Sequence, residues 1–151
     1  MAVSILSSCN NSRSKEPSKT GPLLKKSAIL MEIETIDENN FIVFDEVLFL
    51  TGAEAEKAYK EDNSNESFSD LYYIRNTETT EQSLEVSDTV RIFMKTFSYN
   101  SHGEFEIDGE IDFSIFEKIF SDAEYAHYKM IPFKLEILGE QVIRIEEIYI
   151  P

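Results

Sequence analysis

The sequence predicts an α+β fold that is mainly β: a small antiparallel, barrel-like sheet of five to seven strands with two short helices. Three observations carry this. After Lys26, apolar residues alternate with charged ones in several stretches, the two-residue period of half-buried strands. Those stretches are rich in β-branched and aromatic residues, drawing on 11 Phe and 7 Tyr. Two short windows instead combine helix-start signals with helix period. An open α+β sandwich is the other arrangement the same elements allow.

The elements follow in order. In residues 28–36, Met31, Ile33 and Thr35 oppose Glu32, Glu34 and Ile36. Residues 37–40, Asp-Glu-Asn-Asn, form a turn, and residues 41–50 read as the second strand of a hairpin. Thr51 and Glu54 have the spacing of a capping box, and the alanines and the Glu56/Lys60 pair favour a helix to Asp62. Residues 71–76 predict a third strand, 84–86 a short extended piece, and 89–97 a fourth strand with Val90, Ile92 and Met94 on one face. Ser114 and Glu117 form a second capping box, opening a helix to about Ser121 with Ile115, Phe116, Ile119 and Phe120 as its apolar stripe. Residues 129–138 and 141–150 flank Gly139-Glu140 as a hairpin, with Phe133, Leu135, Ile137, Val142 and Ile145 facing inward.

The chain divides into a truncated signal end with a disordered tether, residues 1–27, and a single acidic β-rich domain, residues 28–151. Of 151 residues, 42% are apolar, enough for one core. Charge divides similarly. Met1 to Leu30 holds five basic residues and one acid; the remainder holds nine basic and 28 acidic residues, a net charge of −19. Such a field repels polyanions, so direct nucleic-acid binding by the domain is disfavoured, while a basic partner is attracted. The lone Cys9 excludes an internal disulfide and a cysteine-rich zinc site. No apolar run reaches the roughly 18–20 residues that span a bilayer.

Catalytic signatures are missing. There is no Gly-x-Ser-x-Gly elbow, no glycine-rich phosphate loop and no paired-histidine motif. His102 and His127 have no nucleophile and orienting acid beside them in sequence, and the domain reads as non-enzymatic. Glu104, Glu106, Asp108, Glu110 and Asp112 alternate with apolar residues and glycine. If extended, that segment places five carboxylates on one side, a candidate for Ca²⁺, although Asp108-Gly109 could instead turn the chain. No other cofactor is expected. Tyr72, Tyr73, Tyr125 and Tyr128 are candidates for a binding surface, with core or rim packing as the alternative.

Leu6-Ser7-Ser8-Cys9 resembles the end of a bacterial lipoprotein signal, in which the cysteine receives lipid. Asn10 to Lys26 has the Ser, Asn, Lys and Pro content of a spacer. This predicts a domain anchored to the membrane through Cys9, extracytoplasmic in the cell envelope, with the start of the signal upstream of Met1. A true start at Met1 predicts a cytoplasmic protein. The Thr51-Gly52-x-Glu54-Ala55 helix, the Tyr73-Ile74-Arg75-Asn76 strand and the terminal Ile145-Glu146-Glu147-x-Tyr149-x-Pro151 are similar to a family of small uncharacterised bacterial lipoproteins. The resemblance covers about residues 28–151 and implies a surface-anchored domain; it brings no activity and no catalytic residues. The expected function is a binding module for a protein or envelope component. The alternative is an acidic inhibitor or immunity-type protein that holds a basic partner.

Overall fold

The computed structural model describes residues 21–64, 66–97 and 109–150. Among them the order is β1 (Leu23–Ile36), β2 (Asn39–Thr51), α1 (Gly52–Asp62), β3 (Tyr72–Arg75), β4 (Glu81–Met94), β5 (Gly109–Ile111), α2 (Phe113–Ser121), a 3-10 segment (Ala123–Met130), β6 (Pro132–Leu138) and β7 (Gln141–Glu147).

Five strands close into a barrel. β1 pairs with β2 and β6, β2 with β4, β4 with β7, and β7 with β6. Four of these pairings are antiparallel and β4 with β7 is parallel. With α2 inserted between the third and fourth barrel strands, this is the connectivity of the OB-fold, a five-stranded Greek-key barrel. β3 and β5 lie outside the ring. β3 takes over the edge of β2 from Leu48 to Thr51, where β4 no longer pairs with it. β5 pairs with the end of β4.

The interior follows the alternation. Phe133, Leu135, Ile137, Val142 and Ile145 are all buried, as expected, together with Leu30, Ile42, Phe44, Ile92 and Met94. α2 contributes Phe116, Ile119 and Phe120, and the rings of Phe116 and Phe120 lie 6.1 and 5.9 Å from that of Phe133. Each such side chain contributes about 1.5–3 kcal/mol by leaving water. At one end of the barrel the inward side turns polar. Lys26 Nζ donates to Glu46 Oε2 at 2.6 Å and to Gln82 Oε1 at 3.1 Å. The Lys26 hydrogen bond holds the Glu46 carboxyl below its ordinary range, against a smaller opposing effect of burial.

Two bulges reset the period. The β1–β2 register slips between Leu30 and Glu32, so Met31 is the extra residue and Leu30 and Ile33 both serve the core. Met31 and Ile33, expected on one face, are therefore separated. The β6–β7 register slips between Glu136 and Ile137, which reconciles inward Val142 and Ile145 at their odd spacing. The predicted pieces 84–86 and 89–97 belong to one strand, β4, which pairs with β7 on both sides of an irregularity between Val86 and Arg91.

The helix starts differ from the sequence expectation. α1 begins after an extended Thr51 whose side chain makes no cap, so the Thr51–Glu54 box is not formed. α2 begins at Phe113 with Asp112 as N-cap, so Ser114 lies inside the helix rather than opening it. β1 starts at Leu23, five residues ahead of the expected strand, and pairs from Leu23 opposite Leu138. The chain enters at a close approach: a Cβ on Gly21 would stand 2.7 Å from Gly139 Cα.

Two buried carboxylates fasten the connections. Glu147 accepts from Lys95 N at 2.6 Å, Thr96 N at 3.0 Å and Thr96 Oγ1 at 2.6 Å, tying the end of β7 to the segment after β4. Asp45 accepts from Asn76 Nδ2 at 2.6 Å and Thr80 N at 2.8 Å, holding the β3–β4 connection. A buried carboxylate is tolerated when donors replace its lost water.

Candidate functional site

The outer side of the barrel is set by strand register. Where β1, β2 and β4 run side by side, Glu32 stands opposite Val43, and Val43 opposite Ser83. One step along, Glu34 stands opposite Phe41, and Phe41 opposite Glu85. These residues point away from the core residues Ile33, Ile42 and Leu84, because neighbours on a strand alternate. The result is a half-buried apolar strip, Phe41 and Val43, with Glu32 and Glu34 on one flank and Glu81 and Glu85 on the other. A groove of about 330 Å³ lies over its Val43 end, lined by Met31, Glu32, Glu34, Val43, Glu81, Gln82 and Ser83. No ion pair engages these four glutamates among the described residues.

This position has a physical logic in the fold. In OB-fold barrels the faces of the second and third strands, flanked by the loops joining strands one to two and four to five, are where ligands sit. Here those strands are β2 and β4. The flanking loops are reduced to tight turns, Asp37-Glu38 and Gly139-Glu140, and neither extends over the face. Asp37 and Glu38 both have positive φ, 48° and 68°.

Across the barrel the outer face of β1, β6, β7 and β4 is built differently. Lys25 pairs with Glu136 at 2.9 Å. Arg144 and Lys95 both bond Glu146, at 2.9 and 3.2 Å. Arg91 holds Glu110 of β5 through two bonds of 2.9 Å. The guanidinium carbons of Arg144 and Arg91 lie 3.9 and 4.9 Å from the centre of the Phe93 ring. Burial alone would raise the Glu146 carboxyl; Arg144 and Lys95 outweigh it and hold it below the ordinary range.

The residues singled out from sequence fall as follows. Tyr72 and Tyr73 belong to β3. Tyr72 stacks on Phe49 at 5.6 Å, and Tyr73 meets Tyr59 edge-on at 5.4 Å and donates to Asp62 at 3.0 Å. Burial, then Asp62, raises the Tyr73 hydroxyl pKa. Arg75 clamps the same helix end through Glu61 and Asp62. Tyr128 is buried in the core, and Tyr125 packs on Phe97 at 5.8 Å. The 3-10 segment places Tyr125 and Tyr128 on the barrel, apart from the β3 pair, and the four do not form one surface among the described contacts.

Glu110 is engaged by Arg91, and Asp112 caps α2 through its carbonyl, which accepts from Ile115 N and Phe116 N. Glu104, Glu106, Asp108, His102 and Cys9 lie outside the described residues. Among the described residues no cluster of three metal-ligating side chains occurs, and no helix is long and apolar enough to cross a membrane. The acidic face itself was not singled out from sequence. Its signal was the alternation of Glu32, Glu34, Phe41 and Val43, which becomes a site only once register sets the strands side by side.

No protein-family model, curated protein or solved structure matches the chain.

Proposed function

We propose that this is a binding domain of the cell envelope, anchored by lipid on Cys9, whose acidic outer face over β1, β2 and β4 receives a basic partner. The observation that carries the reading is the apolar strip of Phe41 and Val43 between two rows of carboxylates that make no ion pair among the described residues. A partner with lysines or arginines around a small apolar contact fits that pattern. Electrostatic steering makes its association fast and salt-sensitive. The Leu6-Ser7-Ser8-Cys9 pattern and the resemblance to small bacterial lipoproteins support the anchor. An inhibitor or immunity-type role is the second reading, favoured by the same face; it applies if Cys9 carries no lipid and the protein stays in the cytoplasm.

Titration with a lysine-rich peptide carrying one leucine, followed by amide chemical shifts, tests the face. The expected shifts centre on residues 32–34, 41–43 and 83–85, disappear at high salt, and disappear with Glu34→Lys plus Glu85→Lys. Shifts spread evenly over all acidic surfaces remove the site. The mass of the mature N-terminus from the host tests the anchor.

A further inference from the structure

We infer that the outer face of β1, β6, β7 and the second half of β4 is the side on which the anchored domain lies against an anionic lipid surface, a step that rests on the anchoring of Cys9 proposed above. Charge complementarity is the first argument. Five of the eleven basic residues after Thr20 stand on this face, Lys25, Arg91, Lys95, Lys134 and Arg144, against three carboxylates, Glu110, Glu136 and Glu146. Lys134 is exposed and has no ion pair among the described residues. Among the described residues the face is therefore net positive on a strongly negative domain. A free molecule of that charge is repelled by anionic lipid. A tethered one cannot leave, so the same field turns it until the basic face is nearest.

The second argument is where the chain enters. Gly21 sits against Gly139, and Leu23 and Leu24 pair with Leu138 and Ile137, so the tail joins the sheet on the β1–β6–β7 side. Leu23 and Leu24 are 51% and 45% exposed at that entry. Eleven residues separate Cys9 from Gly21; fully extended they reach at most about 40 Å. Entry point and basic face lie on one side. The acidic face, across the barrel, is then presented away from the lipid and toward a soluble basic partner.

The test uses the full chain coupled through its single thiol, Cys9, to a maleimide-headgroup lipid, which bypasses lipidation by the host. One set of vesicles is phosphatidylcholine; the other contains phosphatidylglycerol in equal part. Lysine acylation read by mass spectrometry reports which side is covered. On the anionic vesicles Lys25 and Lys134 are expected to react at least about threefold more slowly than on phosphatidylcholine, with Lys57 and Lys118 unchanged. Lys134→Glu is expected to abolish the protection of Lys25. Equal rates on both vesicles, or equal slowing of all four lysines, overturns the orientation. A host protein with lipid on Cys9 but no such protection loses the orientation alone; a host protein without lipid on Cys9 overturns both it and the anchor.

Discussion

The two outer faces of the barrel use carboxylates in opposite ways. Over β5, β6 and β7, Glu110, Glu136 and Glu146 each meet a basic side chain on a neighbouring strand or on their own. Over β2, Glu32, Glu34, Glu81 and Glu85 meet none among the described residues, although Phe41 and Val43 lie between them. The first face uses its charges to hold strands together, as cross-strand pairs do. The second retains charge that folding does not use and that opposes itself. Charge left uncompensated at some cost to stability is charge available for binding, which is why the β2 side carries the functional reading.

Charge reversal on each face should separate them. Arg144→Glu removes a guanidinium from the Phe93 ring and sets a third acid beside Glu136 and Glu146; urea unfolding is expected to show a loss of about 2–3 kcal/mol. Next in size is the turn that ends the acidic face. Asp37→Asn with Glu38→Gly supplies residues suited to positive φ at both positions, and a gain of about 1 kcal/mol is expected in the same assay. Glu34→Lys relieves repulsion on the acidic face and should stabilise by about 0.5 kcal/mol. A loss of stability there would end the contrast between the faces.

The smallest effect is in pH. The folded Glu146 pKa lies below its ordinary value of 4.5. Lowering the pH therefore protonates the unfolded chain first. The contribution of the ionised group is complete above about pH 5.5 and is lost as pH falls through the depressed folded value. Unfolding midpoints measured from pH 6 to pH 3 should fall more steeply for the native chain than for Glu146→Gln. Parallel curves would mean that Arg144 and Lys95 gain nothing from Glu146.

Much of the barrel was legible because local period determines which side faces in. Phe133, Leu135 and Ile137 alternate cleanly, and Phe116, Ile119 and Phe120 keep helix spacing; all six are buried, whereas Ile115, the fourth residue of the expected stripe, is exposed. What escaped depends on contacts distant in sequence. Met31 and Ile143 are bulge residues whose extra count shows only against a partner strand. The parallel β4–β7 pair joins segments about fifty residues apart. Thr51 and Ser114 had cap spacing, yet the paths of β2 and of the chain before α2 put neither hydroxyl to that use. Tyr128, for which the sequence leaves both a binding surface and core packing open, is buried because the 3-10 segment packs it into the core. The acidic face was half visible: its strands could be read one by one, but not which flank met which.

β7 fits between β4 and β6 and is paired on both edges. Its last residue in the strand, Glu147, also ties down the segment after β4. During synthesis the barrel stays open until residues 141–147 emerge, with β4 and β6 each presenting a bare edge. The barrel thus cannot close before residues 141–147 are available, which makes those seven residues the step that completes the fold.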